Sequence, residues 1–244
     1  ESALNQQLNS GRTNSSIYST PLCMADFNND GAPDILIPEL ERSTGEQYSL
    51  LNGSLQNGKW DGKFDLASLQ VLDPGTFTQS PQTSGSLESV MPVAADLNGD
   101  GKLDITMQGP TGIRIFVNDG KGIFPSSFDV NSQDKSYGLN LAAADFSNDG
   151  KIDLASAPGV THSKGRYSGI GPISIYINTT SGQGNPTFAP AVGYLPALAN
   201  SVLAVADMNL DGYLDLVASN TDSSTYHVLE GDGTGAFSNP QSFA

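Results

Sequence analysis

The sequence lacks most of the residues on which disulfide scaffolds and metalloenzymes depend. It contains one Cys and two His among 244 residues, which excludes a disulfide framework and a Cys/His zinc module. No run of 18 apolar residues occurs, so no bilayer-spanning helix is expected. The G-x-S-x-G, H-E-x-x-H and P-loop motifs are also missing. Because so few groups could serve as a general acid and base, we expect a protein without catalytic activity.

Basic residues are scarce as well. The chain has 11 Lys and Arg against 26 Asp and Glu, which gives a formal net charge of -15. Nucleic acids and anionic membrane surfaces attract clustered Lys and Arg, so neither is an expected partner. The acidic residues are unevenly placed, since 12 of the 26 fall in four short segments.

These four segments share the pattern A-D-[apolar]-[NS]-x-D-G-x-x-D-[IL]. From the first Asp to the last, they cover residues 26–34, 96–104, 145–153 and 207–215. Their first aspartates lie 70, 49 and 62 residues apart. Periods of this size indicate a repeat architecture.

Each period also contains short strand patterns and no convincing helical periodicity. Small residues precede the loop, as in residues 141–144, and an apolar strand follows it, as in residues 216–218. A third strand is alternating or β-branched, as in residues 113–117, and ends in a Gly-rich turn. Three or four strands per period fit a β-propeller blade whose small-residue strand is innermost. We therefore predict that residues 1–244 form a single all-β domain, a closed β-propeller of four blades. The alternative is an arc or part of a larger ring, for instance one of seven blades.

The loops themselves carry oxygen ligands at fixed offsets. With the first Asp as position 1, side-chain oxygens fall at positions 1, 3, 5 and 9, and a Gly at position 6 permits a sharp turn. Calcium accepts six to eight such hard oxygen ligands. An EF-hand would need a Glu at position 12, where this chain has Ile37, Met107, Ser156 and Ala218. Metal-free Asx turns are the alternative, and the recurrence of three carboxylates in four loops favours calcium.

The four segments resemble the calcium-binding repeats of the integrin α-subunit FG-GAP/VCBS family, and the resemblance extends over essentially the whole chain. It implies an extracellular β-propeller with calcium in the loops between the first two strands of a blade. The chain departs from the family in lacking the Phe-Gly and Gly-Ala-Pro cassettes upstream of the loops, and in having four motifs where seven blades are common.

The resemblance implies a ligand set for up to four structural Ca²⁺ ions. The side-chain ligands would be Asp26, Asn28, Asp30 and Asp34; Asp96, Asn98, Asp100 and Asp104; Asp145, Ser147, Asp149 and Asp153; and Asp207, Asn209, Asp211 and Asp215. The position-7 carbonyls would come from Ala32, Lys102, Lys151 and Tyr213. Because a hydroxyl is a poorer calcium ligand than an amide oxygen, we expect the site with Ser147 to be the weakest.

We expect an extracellular binding or adhesion module, secreted or at the cell surface, that recognises a glycan or a protein. The alternatives are a non-catalytic accessory domain of a secreted polysaccharide-active enzyme, or an assembly module that self-associates through blade edges. Residues 39–47, 66–89 and 161–168 show no strand pattern and are predicted to be surface loops. The last loop carries a basic and aromatic cluster, and Trp60 could stack on a sugar; a solvated loop and edge packing are the respective alternatives. These candidate partner-binding residues are His162, Lys164, Arg166, Tyr167 and Trp60.

Overall fold

A computed structural model describes most of the chain. The described residues are 23–41, 45–73, 92–109, 112–131, 139–158, 162–163, 166–167, 170–199, 202–220, 223–238 and 240–244. They contain β-strands and turns and no helix. In particular, none of them belongs to a helix that is long and apolar enough to cross a bilayer.

Four antiparallel sheets of four strands each follow one another along the chain, and we call each sheet with its loop a blade. Blade 1 contains β1 (Cys23–Ala25), β2 (Asp34–Glu41), β3 (Gly45–Gln56) and β4 (Lys59–Leu72). Blade 2 contains β5 (Val93–Ala95), β6 (Asp104–Gly109), β7 (Gly112–Val117) and β8 (Ser126–Asn131). Blade 3 contains β9 (Leu139–Ala144), β10 (Asp153–Pro158), β13 (Ile170–Tyr176) and β14 (Val192–Ala199). Blade 4 contains β15 (Leu203–Ala206), β16 (Asp215–Asn220), β17 (Thr225–Leu229) and β18 (Gln241–Phe243).

The predicted order of elements within a period is confirmed. In every blade a short strand rich in small residues pairs with the strand after the acidic loop, as in the register Ala95 with Asp104 and Ala206 with Asp215. The first strands of consecutive blades contact one another. Small side chains allow this close approach, which places these strands innermost.

Strands extend into two of the predicted loops, 39–47 and 66–89, and residues 42–44 and 74–89 of these loops lie outside the described residues. β2 and β3 extend through residues 39–41 and 45–47, where Glu39 pairs with Gln47 and Glu41 with Gly45. β4 continues to Leu72. Polar residues hid the strands around residues 39–47 from a hydrophobic pattern, whereas the apolar residues among 66–72 do not alternate regularly. In the third predicted loop, β11 (His162–Ser163) and β12 (Arg166–Tyr167) pair as a small separate hairpin.

The core lies between consecutive sheets. Side chains alternate along each strand, so that one face of a blade turns toward the preceding blade and the other toward the following one. We call these the leading face and the trailing face. Leu36 and Leu50 on the trailing face of blade 1 pack with Ile105 and Phe116 of blade 2. Equivalent clusters join blade 2 to blade 3 and blade 3 to blade 4.

The fold is therefore all-β and propeller-like, with three blade–blade junctions. A fourth cluster, Ile35, Ile37 and Leu51 with Phe64, lies within blade 1 alone. Within the described residues no hydrophobic cluster joins blade 4 to blade 1. Closure of the ring thus stays a prediction.

Each junction is also held by a hydrogen bond to the backbone carbonyl at position 2 of the preceding loop. Asn118 Nδ2 donates to Phe27 O at 2.7 Å, and Asn178 Nδ2 donates to Leu97 O at 2.8 Å. At the third junction the backbone N–H of Gly235 donates to Phe146 O at 3.0 Å. We call this contact the junction bond.

An aromatic ring reinforces the junction bond. The rings of Phe124 and Phe27 pack edge to face at 5.9 Å between centroids, and those of Phe237 and Phe146 at 5.6 Å. At the middle junction Phe188 packs against the cluster that contains Leu97. The side chain at position 2 therefore packs against a Phe of the following blade.

We predict that Asn178→Ala destabilises the protein by about 2–4 kcal/mol, because Asn178 also donates to Ile152 O at 2.8 Å and two buried carbonyls would lose their donor. Chemical denaturation followed by circular dichroism measures this. Asn185→Ala, at an exposed position, is the matched control and should change stability by less than about 0.5 kcal/mol. Equal stabilities for the two variants would refute the role of the junction bond.

Candidate metal-binding loops

All four acidic loops have the same backbone course. Position 6 is a Gly with φ between 81° and 93°, a left-handed conformation that favours glycine. Position 4 is also left-handed, with Asn29, Gly99, Asn148 and Leu210 at φ of 54° to 72°. Leu210 is the outlier, since a bulky side chain is unfavourable there.

Position 1 organises each loop by accepting backbone hydrogen bonds. Asp26 Oδ1 accepts from Asp30 N at 3.1 Å, and its Oδ2 accepts from Gly31 N at 2.9 Å. The same two bonds recur in the other loops on Asp96, Asp145 and Asp207. One oxygen of position 5 accepts from the N–H of position 7 in every loop. The loops are thus curled around their own carboxylates.

Position 9 turns inward and joins the loop to the sheet. Asp104 Oδ2 accepts from Leu97 N at 3.2 Å, and its Oδ1 accepts from Asn118 N at 3.0 Å. The corresponding carboxylates make equivalent bonds, and all four side chains are fully buried: Asp34, Asp104, Asp153 and Asp215. Position 9 therefore connects its loop to the end of the third strand of the same blade.

Burial makes these carboxylates harder to ionise. Desolvation raises the pKa of Asp104 to about 6, despite the hydrogen bonds that Asn118 and Leu97 donate to it. It also raises the pKa values of Asp34 and Asp153. The neighbouring carboxylates Asp96 and Asp100 add to the increase at Asp104. A cation near the loop would oppose this effect and favour the ionised form.

The inward turn of position 9 leaves two carboxylates, at positions 1 and 5, at the surface of each loop. Of the side chains in the described part of the chain, no three from His, Cys, Asp and Glu form a group that could hold a metal ion by themselves. A metal in these loops would need the oxygen of position 3 and backbone carbonyls as further ligands. That donor set is entirely oxygen, which suits calcium.

The second oxygen of position 5 is paired with a donor in each loop, and the donor differs. Asn28 Nδ2 donates to Asp30 Oδ2 at 2.9 Å, and Asn209 Nδ2 donates to Asp211 Oδ2 at 2.8 Å. In loops 2 and 3 the donor is the position-7 lysine: Lys102 Nζ lies 3.3 Å from Asp100 Oδ2, and Lys151 Nζ lies 2.8 Å from Asp149 Oδ2. In loops 2 and 3 a lysine ammonium group thus lies at the position-5 carboxylate, and in loops 1 and 4 the donor is an Asn amide.

Loop 3 differs most from the others. The hydrogen bond from Lys151 holds the pKa of Asp149 below its usual value. Ser147 replaces the position-3 amide, and its N–H donates to Asp153 Oδ2 at 2.9 Å. Loop 3 therefore combines the closest ammonium group with the poorest position-3 ligand.

The candidate partner-binding residues that the structure describes lie on two hairpins and not in the acidic loops. Trp60 is 43% exposed on the β3–β4 hairpin, where its Nε1 donates to Lys63 O at 3.2 Å. Its ring lies 6.3 Å from that of Phe64. His162 pairs with Tyr167 across the small hairpin, and Arg166 pairs with Ser163. Lys164 lies outside the described residues.

Asn118 and Asn178, which hold two of the junctions, were not predicted from the sequence. Asn118 was assigned only to a Gly-rich turn. The available signal was the recurrence of an Asn one or two residues after the third strand of blades 2 and 3. Only the structure shows that this Asn lies beside the acidic loop of the preceding blade and donates to it.

The comparison with protein families identifies one of these segments. Residues 96–156 match the model of the FG-GAP-like repeat. These residues are an FG-GAP-like repeat. The resemblance proposed from the sequence is thereby confirmed for this segment. The FG-GAP-like repeat begins at loop 2, includes all of loop 3 and ends in β10, so it spans parts of two blades.

A comparison with solved structures gave matches at low sequence identity. One is a lectin from Agrocybe aegerita, described as recognising non-reducing terminal N-acetylglucosamine, with a TM-score of 0.53 and 19% identity over 91% of this chain. The match covers 52% of the lectin, so this chain spans about half of that protein's length. Another is the biofilm matrix protein Bap1 of V. cholerae, with a TM-score of 0.46 and 21% identity over 90% of this chain and 39% of Bap1. A comparison with curated proteins gave no match.

We predict that Leu210→Gly stabilises the metal-free protein by about 1 kcal/mol, because glycine adopts the left-handed conformation of position 4 without steric cost. Thermal unfolding in the presence of a chelator measures the change. The reciprocal variant Gly99→Leu, at φ 72° with nothing within 4 Å of the added Cβ, should lose a similar amount. A destabilised Leu210→Gly would show that the Leu side chain makes a contact that outweighs the strain.

Proposed function

We propose that this chain is a calcium-stabilised, propeller-like binding module that acts outside the cell on a glycan or a protein. The observation that carries the calcium assignment is the second oxygen of position 5, which attracts a donor in every loop, an ammonium group in two of them. A calcium ion would supply positive charge at this oxygen. It would also bind six to eight oxygen ligands of the loop at once, which a single lysine ammonium group cannot do. Position 9 can contribute as well, since each carboxylate oxygen has a second lone pair.

The lysines rank the four sites. Calcium must displace Lys102 or Lys151 from the position-5 carboxylate in loops 2 and 3, and it meets no ammonium group at position 7 of loops 1 and 4. Loops 1 and 4 should therefore bind most tightly, loop 2 less tightly and loop 3 least. Extracellular modules bind calcium at about 10⁻⁴–10⁻³ M, and we expect these loops to work in that range, outside the cytosol.

We predict that millimolar calcium raises the unfolding midpoint by more than about 10 °C relative to chelator. Calcium at about 10 mM is about 100 times a dissociation constant of 10⁻⁴ M and contributes about 2.7 kcal/mol for each site of that affinity, and a protein of this size gains about 2–4 °C per kcal/mol. Differential scanning calorimetry measures the midpoint, and titration calorimetry counts up to four ions.

Asp211→Asn in loop 4 should remove one of the tighter sites. Asp232→Asn is the matched control, since it removes the same charge from a turn outside the loops, where Asp232 Oδ1 accepts from Thr234 N at 2.8 Å. An unchanged midpoint with no heat of binding would leave the loops as metal-free Asx turns.

A glycan is the partner that the surface supports best, and Trp60 is the proposed contact. The indole is partly exposed and its orientation is fixed by the hydrogen bond to Lys63 O. Asp61 lies beside it, where it accepts from Lys63 N at 3.0 Å and forms an ion pair with Lys63 Nζ at 3.6 Å. An aromatic face next to polar groups fits the apolar face and the hydroxyls of a sugar. The Agrocybe aegerita lectin, which has a similar fold, is described as recognising non-reducing terminal N-acetylglucosamine, which makes that sugar the first probe.

A catalytic role finds less support. His227 Nδ1 lies 2.9 Å from Ser242 Oγ and its Nε2 lies 3.3 Å from Thr225 Oγ1. Both ring nitrogens thus contact hydroxyl groups, one on the same strand and one on the neighbouring strand β18, an arrangement that fits a structural role better than that of a general base.

We predict that a disaccharide ending in N-acetylglucosamine changes the fluorescence of Trp60, which is the only Trp in the chain. Galactose is the matched sugar control. Trp60→Ala should weaken binding at least tenfold by titration calorimetry, because most of the stacking surface is lost. Tyr226→Ala, at a more exposed aromatic on blade 4 (58% against 43% for Trp60), should bind as the native chain does. If no sugar in a panel alters the emission while calcium still binds, the glycan proposal fails and the calcium proposal stands.

A further inference from the structure

In blades 2 and 4, the Gly-rich turn after the third strand contacts two acidic loops. Both turns have the sequence Asp-Gly-x-Gly, at residues 119–122 and 232–235. The first glycine lies beneath position 7 of the blade's own loop. A Cβ on Gly120 would lie 2.7 Å from Cδ of Lys102, and one on Gly233 would overlap the ring of Tyr213. One side of the turn is thus held by its own blade.

The second glycine of the turn lies against position 3 of the preceding loop. A Cβ on Gly122 would lie 3.3 Å from Cβ of Asn28, and Gln70 Nε2 of blade 1 donates to Gly122 O at 3.4 Å. A Cβ on Gly235 would lie 3.7 Å from Cβ of Ser147. The backbone of the following blade therefore packs directly behind the position-3 side chain.

The peptide group between positions 2 and 3 is held by both blades at once. In loop 1, Phe27 O accepts the junction bond from Asn118 of blade 2, and Asn28 N donates to Asp34 Oδ2 at 3.3 Å. The carbonyl and the N–H of this peptide group are thus fixed by different blades. The same peptide group of loop 3 is held by the N–H of Gly235 and the carboxylate of Asp153.

Loop 2 lies beside a different turn. Blade 3 has Gly182 and Gly184 in the corresponding turn, and a Cβ on either would meet no atom within 4 Å. Asn98 at position 3 of loop 2 is nevertheless only 6% exposed. Of the three junctions described, the first and the third thus place a turn glycine against position 3.

We propose that the turn of the following blade sets the calcium affinity of loops 1 and 3. This coupling rests on the proposed function of the loops as calcium sites. Position 3 would supply an oxygen ligand, and its backbone is ordered only when the next blade is docked. A ligand group that is ordered before the ion arrives loses less conformational entropy on binding, so the affinity is higher. Because linkage is reciprocal, calcium in loop 1 should in turn stabilise the junction between blades 1 and 2.

Hydrogen–deuterium exchange with mass spectrometry, on the full chain titrated with calcium chloride, reports each loop separately. Gly122→Ala places a Cβ against Asn28. It should raise the calcium concentration that half-protects loop 1 at least about fivefold, the lower end of coupling between linked sites, while loop 4 keeps its native midpoint. Gly58→Ala is the matched control, because its φ of 71° equals the 72° of Gly122 within a degree and its added Cβ meets nothing within 4 Å. It should leave both midpoints unchanged, and circular dichroism verifies that both variants are folded.

The reverse effect can be measured without altering the junction. Asp30→Asn removes a charge from loop 1 and keeps the side-chain volume. It should reduce the calcium-induced protection of the blade 2 turn, residues 118–123, at least about fivefold, although loop 2 is intact. Asp211→Asn makes the same change in loop 4 and should leave the protection of this turn as it is in the native chain.

The outcomes separate this coupling from the calcium proposal. Equal loop 1 midpoints in Gly122→Ala and Gly58→Ala would overturn the coupling while calcium binding stands. Equal protection of the blade 2 turn in Asp30→Asn and the native chain would also overturn it. If calcium protects no loop of the native chain, the calcium proposal fails and the coupling fails with it.

Discussion

The buried carboxylate at position 9 is the contact on which each blade depends. Asp104 receives one hydrogen bond from the start of its loop and another from the residue that ends the third strand. It therefore fixes the loop, the second strand that it begins and the exit of the third strand at one point. The residue whose N–H it accepts, Asn118, in turn forms the junction bond to the preceding loop. The hydrogen bond that holds the loop to its own blade and the hydrogen bond that joins two blades thus both involve Asn118.

Within each acidic loop, one carboxylate contacts the sheet and two other carboxylates lie at the surface. Position 9 is committed to the backbone and is fully buried, and positions 1 and 5 remain at the surface. The inner carboxylate is costly to ionise, as the raised pKa of Asp104 shows. In the proposed function, calcium at the surface of the loop would stabilise the charged form of this inner group. Calcium binding and sheet assembly would then be linked through a single side chain.

Much of the fold could be predicted because its signals are local and repeated. The four loops, the small-residue strands before them and the strands after them lie where the repeat pattern placed them. The β2–β3 extension around Glu39 and Gln47 was missed because polar residues pair there through backbone hydrogen bonds, which a hydrophobic pattern does not reveal. The sequence also does not predict the inward turn of position 9. Asp34 and Asp26 are the same residue type, and only the folded chain shows that the third strand lies within hydrogen-bonding distance of Asp34. Asn178 was missed for a related reason: its acceptor, Leu97 O, lies 81 residues away in the chain.

The offset between the FG-GAP-like repeat and the blade has a consequence for how such chains can change length. The segment 96–156 contains Leu97, whose carbonyl accepts from the following blade, and Asn118, whose amide donates to the preceding one. Each unit of this kind therefore carries one half of two successive junctions. Duplicating or deleting a unit at its own boundaries adds or removes one donor and one acceptor together, so every remaining donor still faces an acceptor. A gene encoding such units can gain or lose blades without a compensating mutation elsewhere.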